Sequence, residues 1–180
     1  ACSTSPRRSY TTPPLEASLS IIGSPEAILH LTASMPVATC VVRLSEVDES
    51  GVSSLVATGA LNLTHRLSDV DPSPMPTRPR TTEEVRIPLR TSGYRFTAGR
   101  RIRLTVLTGY WPVLWPSPLP GEIRVHRGPL ASSRLVLPVL PVSDIVRSPA
   151  WYQRLGFEVR AEYDGYAIVA FDGAAVHLHE

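Results

Sequence analysis

A chain of 180 residues that is 43% hydrophobic has apolar material for one domain, or one and a half, with a real core. Its formal net charge is only +2, and all eighteen basic residues are arginine with no clustering among aromatics, so neither nucleic acid nor a membrane surface is indicated as a partner. No apolar run reaches the roughly 18 residues of a membrane span. Two cysteines, Cys2 and Cys40, do not make a disulfide framework, and a reducing, cytoplasmic compartment is expected.

Residues 1–14, "ACSTSPRRSYTTPP", are polar and proline-rich; they read as a tail or an extended lead-in and carry no apolar core of a signal peptide. From there the pattern is strand upon strand. In "EAILHLTAS" (26–34) Leu29 and Leu31 share one face and His30 and Thr32 the other. "VATCVVRLSEV" (37–47) puts Ala38, Cys40, Val42 and Leu44 together, against Thr39, Val41 and Arg43. "SLVATGALNLTHR" (54–66) precedes a proline-dense loop, "DPSPMPTRPR" (71–80). "EVRIPLR" (84–90) aligns Val85, Ile87 and Leu89; its Pro88 lacks a ladder donor and predicts an edge strand or a bulge. "RIRLTVLTG" (101–109) aligns Ile102, Leu104 and Val106, and "GEIRVHRG" and "SRLVLPVLP" complete the series. Many short alternating strands with Gly and Pro punctuation predict a β-sandwich over residues 15–140.

The character changes after about residue 140. "SDIVRSPAWYQRLGF" is the one convincing helix, capped by Ser143 or Asp144 and stopped by Gly156. Three short strands follow, "EVRAEYD", "YAIVAFD" and "AAVHLHE", with "DG" turns at 164–165 and 172–173. Residues 141–180 thus read as helix, strand, strand, strand, entered from a strand near 137–142.

"GYWPVLWPSP" (109–118) stands apart. Trp111 and Trp115 are four residues apart and interleaved with Pro112, Pro116 and Pro118. A sugar-stacking platform would pair such rings with Asp, Asn or Gln, and none occurs from Gly109 to Gly121. Repeated proline makes a stiff loop, not a packed strand, which argues against burying both rings. Tyr110, Trp111 and Trp115 have the composition of an interface core and are the candidate interface or ligand residues.

"SYTTPPLEASLSIIGSPEAILHLTAS", "VATGALNLTHR" and "VRIPLRTSGYRFTAGRRIRLTVLTGYWPVLWPSP" together resemble the C-terminal domain of the X-Pro dipeptidyl-peptidase and cocaine-esterase-like (CocE/NonD) family of α/β-hydrolases, over about residues 9–140. The resemblance implies a jelly-roll, galactose-binding-like sandwich packed on a catalytic α/β-hydrolase domain, met in cis or in trans. It implies Ser-His-Asp hydrolysis of an ester, amide or prolyl bond by that other domain. The family's nucleophile would sit in a G-x-S-x-G elbow, and no such motif occurs here; "GVSSL" (51–55) lacks the second glycine. His65 and His126 sit in strand contexts and read as structural. No catalytic residue carries over, and no activity is expected of this chain alone.

"LPVSDIVRSPAWYQRLGFEVRAEYDGYAIVAFDGAAVHLHE" (about 137–180) resembles one βαβββ module of the glyoxalase/bleomycin-resistance/dioxygenase superfamily, whose complete members use two. The resemblance implies small-molecule binding by two chains pairing their tails as a homodimer, with Tyr152, Tyr163, Tyr166 and His177 as weak ligand candidates. The superfamily's first metal-ligating His is replaced by Leu137, so neither metal nor cofactor is expected. His177 and His179 share a strand face and are the only weak metal candidates. The two resemblances compete for "SRLVLPVLPVSD", which cannot pair fully in two sheets; the incomplete tail is expected to yield.

Overall fold

The computed structural model describes residues 8–67, 75–117, 119–128, 131–139, 153, 158–163, 166–171 and 174–179, with the backbone alone beyond residue 160. The chain divides into two compact units, Ala1–Pro138 and Val139–Glu180.

In the first unit, β1 (Arg8–Thr11), β8 (Arg101–Leu107), β4 (Thr39–Val47) and β5 (Ser53–Asn62) form one antiparallel sheet in the order β1-β8-β4-β5. Facing it, β3 (Glu26–Ala33) pairs β6 (Glu83–Pro88) on one side and both β9 (Ile123–His126) and β10 (Arg134–Val136) on the other. A two-stranded sheet of β2 (Leu19–Gly23) and β7 (Ser92–Phe96) completes the second layer. The unit is a β-sandwich. Ala38, Cys40, Val42, Leu44, Ile102, Leu104 and Val106 from the first layer meet Leu29, Leu31, Val85, Ile87 and Phe96 from the second in one buried cluster. The alternation of each strand dictates this, since period two delivers every second side chain to the same face.

Three details refine the sequence reading. Residues 8–11, read as part of a tail, form β1 against β8; Ser9 and Thr105 hydroxyls lie 3.1 Å apart across that pair. β1 was hidden because its inward contribution is one half-buried residue, Tyr10, among polar neighbours. His65 is in no strand: Leu63–His65 is a 3-10 turn, capped by the Asn62 side chain, which accepts from the Thr64 amide at 3.1 Å. Pro88 closes β6, an edge strand.

Gly59 shows where the layers come closest. Any Cβ there would overlap the Pro88 carbonyl oxygen, and the Thr58 carbonyl accepts from the Arg90 amide at 2.9 Å. β5 therefore touches the second layer backbone to backbone, which only glycine permits.

The contested segment belongs to the sandwich as far as Pro138. β10 pairs Glu26–Ile28, and the Pro138 carbonyl accepts from the Ile22 amide at 3.1 Å. In the second unit β11 (Glu158–Tyr163), β12 (Tyr166–Phe171) and β13 (Ala174–His179) form an antiparallel sheet of two hairpins. The helix expected over 143–156 falls outside the described residues except Gln153, which is helical.

Candidate functional site

β8 ends at Leu107, and the chain doubles back in a hairpin. Tyr110 and Leu114 exchange both backbone hydrogen bonds, at 2.8 and 2.7 Å. Below that bridge the limbs nearly touch: a Cβ on Gly109 would lie 3.0 Å from Pro116 Cα. Ser117 Oγ donates to the Val37 carbonyl at 2.7 Å and pins the returning limb to the sandwich. The Arg43 guanidinium lies over the Tyr110 ring, 5.1 Å from its centroid. Arg43 Nε is buried without a hydrogen-bond partner, so the ring face is the favourable contact this cation has at that side.

The hairpin separates its side chains by direction. Tyr110 and Leu114 are half-buried. They lie beside Val41, which points away from the core of the sandwich yet is only 2% exposed. Trp111, Val113 and Trp115 point outward and are 66%, 73% and 71% exposed. The two indoles meet edge to face, with centroids 4.7 Å apart and planes at 81°. That geometry is favourable by roughly 0.5–1.5 kcal/mol beyond area burial and biases both rings toward one arrangement. Beside them a groove of about 630 Å³ runs between the hairpin and β5, with Val41, Leu55, Ala60, Tyr110, Val113 and Leu114 among its lining. Leu55 is itself 47% exposed.

All three sequence candidates thus fall on one hairpin, but not in one role. Trp111 and Trp115 form the outward surface; Tyr110 supports it from beneath. The core reading of the tryptophans is not what the structure shows, because the bridge and the Gly109–Pro116 approach turn both rings out. Sequence reasoning missed Val113, Leu55 and Arg43. Val113 was legible as an apolar residue between two prolines; Leu55 and Arg43 lie on distant strands and only the fold adds them.

The tail candidates can be placed by register alone. Tyr163 pairs Tyr166 across the first hairpin, and His179 pairs Tyr166 across the second, so these three occupy one row at the end of the sheet. His177 stands opposite Ile168. Tyr152 lies outside the described residues.

Several other polar groups in the sandwich are committed to the fold. Ser133 Oγ accepts from the His30 amide at 2.9 Å and donates to the His126 carbonyl at 2.7 Å. His126 Nε2 lies 2.7 Å from the Thr32 hydroxyl. Cys40 is fully buried, and desolvation pushes its thiol up to about 12, far from the thiolate that a nucleophile requires.

Comparison with known proteins agrees with this architecture. Among solved structures, an α-amino acid ester hydrolase matches with a TM-score of 0.67 at 23% identity, covering 74% of this chain and 25% of its own. An aminopeptidase from a marine sediment Thaumarchaeota archaeon matches at 0.68 and 21% identity, covering 77% of this chain and 26% of its own. A CocE/NonD family hydrolase from Staphylococcus aureus matches at 0.64 and 16% identity, covering 74% and 30%. The chain therefore spans between a quarter and a third of the length of these proteins, and at such identities the likeness is one of fold. No curated protein matches the sequence. The family model for the X-Pro dipeptidyl-peptidase C-terminal non-catalytic domain matches residues 2–137, and this chain belongs to that family.

Proposed function

We propose that the sandwich serves an α/β-hydrolase catalytic domain, met in cis or in trans, by docking on it through the Trp111–Trp115 hairpin and the adjoining groove. The observation that carries this reading is the pair of tryptophans, each about two-thirds exposed, on a hairpin fixed by two backbone hydrogen bonds. Exposed indoles on a fixed backbone are the anchors that interfaces use, because no backbone ordering remains to be done on docking. The reaction served is hydrolysis of an ester, amide or prolyl peptide bond, with the triad on the catalytic domain.

The test is the mass of the species that carries this chain in its source cell, by immunoblot of native and denaturing gels. A denatured band far above 19.7 kDa supports attachment in cis. A large native species that separates on denaturation, and that turns over an activated ester until treated with a serine-directed inhibitor, supports docking in trans. A chain that runs alone at 19.7 kDa on both gels overturns the proposal, as does inhibitor-sensitive turnover by the purified chain.

The second unit supports a separate reading: a half module of the glyoxalase/bleomycin-resistance type that pairs with a second copy around a small molecule. The paired β11–β12–β13 hairpins favour it, since they reproduce the strand order of the resembled module's second part. A dimer that persists after deletion of residues 141–180, or a chain that is monomeric at all concentrations, overturns it.

A further inference from the structure

The flank of the sandwich opposite the β5 edge holds a second cavity, distinct from the tryptophan hairpin. Between β1 and β8 on one layer and β3, β9 and β10 on the other, a slot of about 250 Å³ runs into the core. Leu29, Ile102 and Leu104 form its floor, and Val125 and Leu135 its wall. The slot is open to solvent on one side, and its exposed lining is mostly apolar. Such recesses take apolar ligands more readily than water, because a water there lacks polar partners.

The mouth is polar and of one sign. Tyr10, Arg127 and Arg134 frame it, with the Arg127 guanidinium 4.8 Å from the Tyr10 ring centroid. Both arginines are exposed, and neither pairs with a carboxylate among the described residues. The slot continues into a wider polar cleft that shares Tyr10, Val125 and Arg127 and adds Arg8 and Arg124. The carboxylate lining that cleft, Glu122, already lies 3.4 Å from Arg124. Ser133, one of the hydroxyl residues lining the slot, donates to the His126 carbonyl and accepts from the His30 amide, so it is engaged by the backbone.

We propose that this slot binds a small amphipathic carboxylate, with its aliphatic or aryl group on Leu29, Leu104 and Leu135 and its carboxylate against Arg127 and Arg134. The volume sets the size: it falls just below the roughly 300–1,000 Å³ of drug-sized sites, so the ligand is a medium-chain acid or a single aromatic ring with a short acid arm. The charge sets the head group. A guanidinium offers the planar fork that matches a carboxylate, and an arginine stacked on a tyrosine is held ready for it.

Octanoate, 1-octanol and octylamine, titrated into the isotopically labelled full chain and followed by amide chemical shifts, distinguish the contributions. Octanoate should shift the amides of Leu29, Val125 and Leu135 saturably. Octanol should bind the same residues at least about tenfold more weakly, and octylamine more weakly still, since a charge-assisted hydrogen bond is lost or opposed. The exposed double variant Arg127→Gln/Arg134→Gln should keep its fold and lower octanoate affinity to that of octanol. Leu135→Trp should fill the slot and abolish binding of both. No saturable shift below the micelle limit overturns the proposal. So does equal affinity of the native chain for octanoate and octanol, or a response confined to residues 110–115.

Discussion

Two turns of the sandwich are built with equal care and do opposite things with their side chains. The turn after β7 closes inward. Glu46, whose side chain is 5% exposed, accepts from the Thr97 amide at 2.9 Å, the Tyr94 hydroxyl at 3.0 Å and Arg100 at 3.2 Å. Leu15 and Arg100 add a backbone bond at 2.8 Å, and the Tyr94 and Phe96 rings meet 5.0 Å apart. The turn after β8 has as firm a frame, yet its largest residues face water. A turn whose every strong group is satisfied within the fold exists to hold the fold. A turn that is framed from within and still exposes two indoles is what the proposed docking surface requires. Each change below pushes on one side of that contrast.

The largest effect should come from Glu46→Ala. It strips the acceptor from the Thr97 amide, a part-buried phenol and a guanidinium at once, and the cost is about 2 kcal/mol, reduced from the fully buried case because Thr97 is exposed and Arg100 is 42% exposed. Urea unfolding of the chain measures it. Glu46→Gln keeps one acceptor oxygen and should lose less. A cost below about 1 kcal/mol for the alanine variant would mean that the turn is not held by this carboxylate.

Gly109→Ala should come next. Its Cβ would stand 3.0 and 3.1 Å from Pro116 Cα and N, so the limbs of the hairpin must part by a few tenths of an ångström. The expected cost is about 1–2 kcal/mol in urea unfolding, with the Tyr110 and Leu114 amides exchanging faster with solvent. Unchanged exchange at those two amides would show that the Gly109–Pro116 approach does not hold the hairpin.

A smaller effect is expected in alkali. Burial first, and then the hydrogen bond to Glu46, hold the Tyr94 phenol above its usual value of 10.0. The folded chain then keeps a proton that the unfolded chain releases, so stability is complete below pH 10 and declines as pH rises beyond it. Tyr94→Phe should flatten that decline. An unaltered slope in the variant would assign the alkaline loss to other groups.

The sequence made the sandwich legible wherever a strand contributes three or more apolar residues to one face, as at Cys40, Val42 and Leu44 or Ile102, Leu104 and Val106. It was least legible where strands are short and glycine-bearing. "LSIIG" and "SGYRF" form β2 and β7 by pairing with each other, and neither carries enough alternation alone. Val41 shows another limit. Periodicity turned it away from the core, and it is buried all the same, because a hairpin some seventy residues later lies beside it. The candidate interface was legible as far as its tryptophans, since proline excludes a packed strand locally; Leu55 and Arg43 joined it only through tertiary structure.

The smallest effect on stability, and the one that decides between the two kinds of turn, belongs to Trp111→Ala/Trp115→Ala. Side chains about two-thirds exposed lose little buried area when truncated, and the edge-to-face contact is worth about 1 kcal/mol. Unfolding of the isolated double variant should therefore differ from the native chain by no more than about 1 kcal/mol. The same pair should matter far more to docking, where central aromatic anchors commonly cost 2 kcal/mol or more when removed, about thirtyfold or greater in affinity. A loss above about 2 kcal/mol in the isolated chain would place the indoles with Glu46, as parts of the fold. A small loss in the isolated chain with no change in the mass of the native complex would leave the sandwich docking elsewhere and sink the interface reading. A small loss joined to dissociation of that complex is the outcome that the geometry of the hairpin predicts.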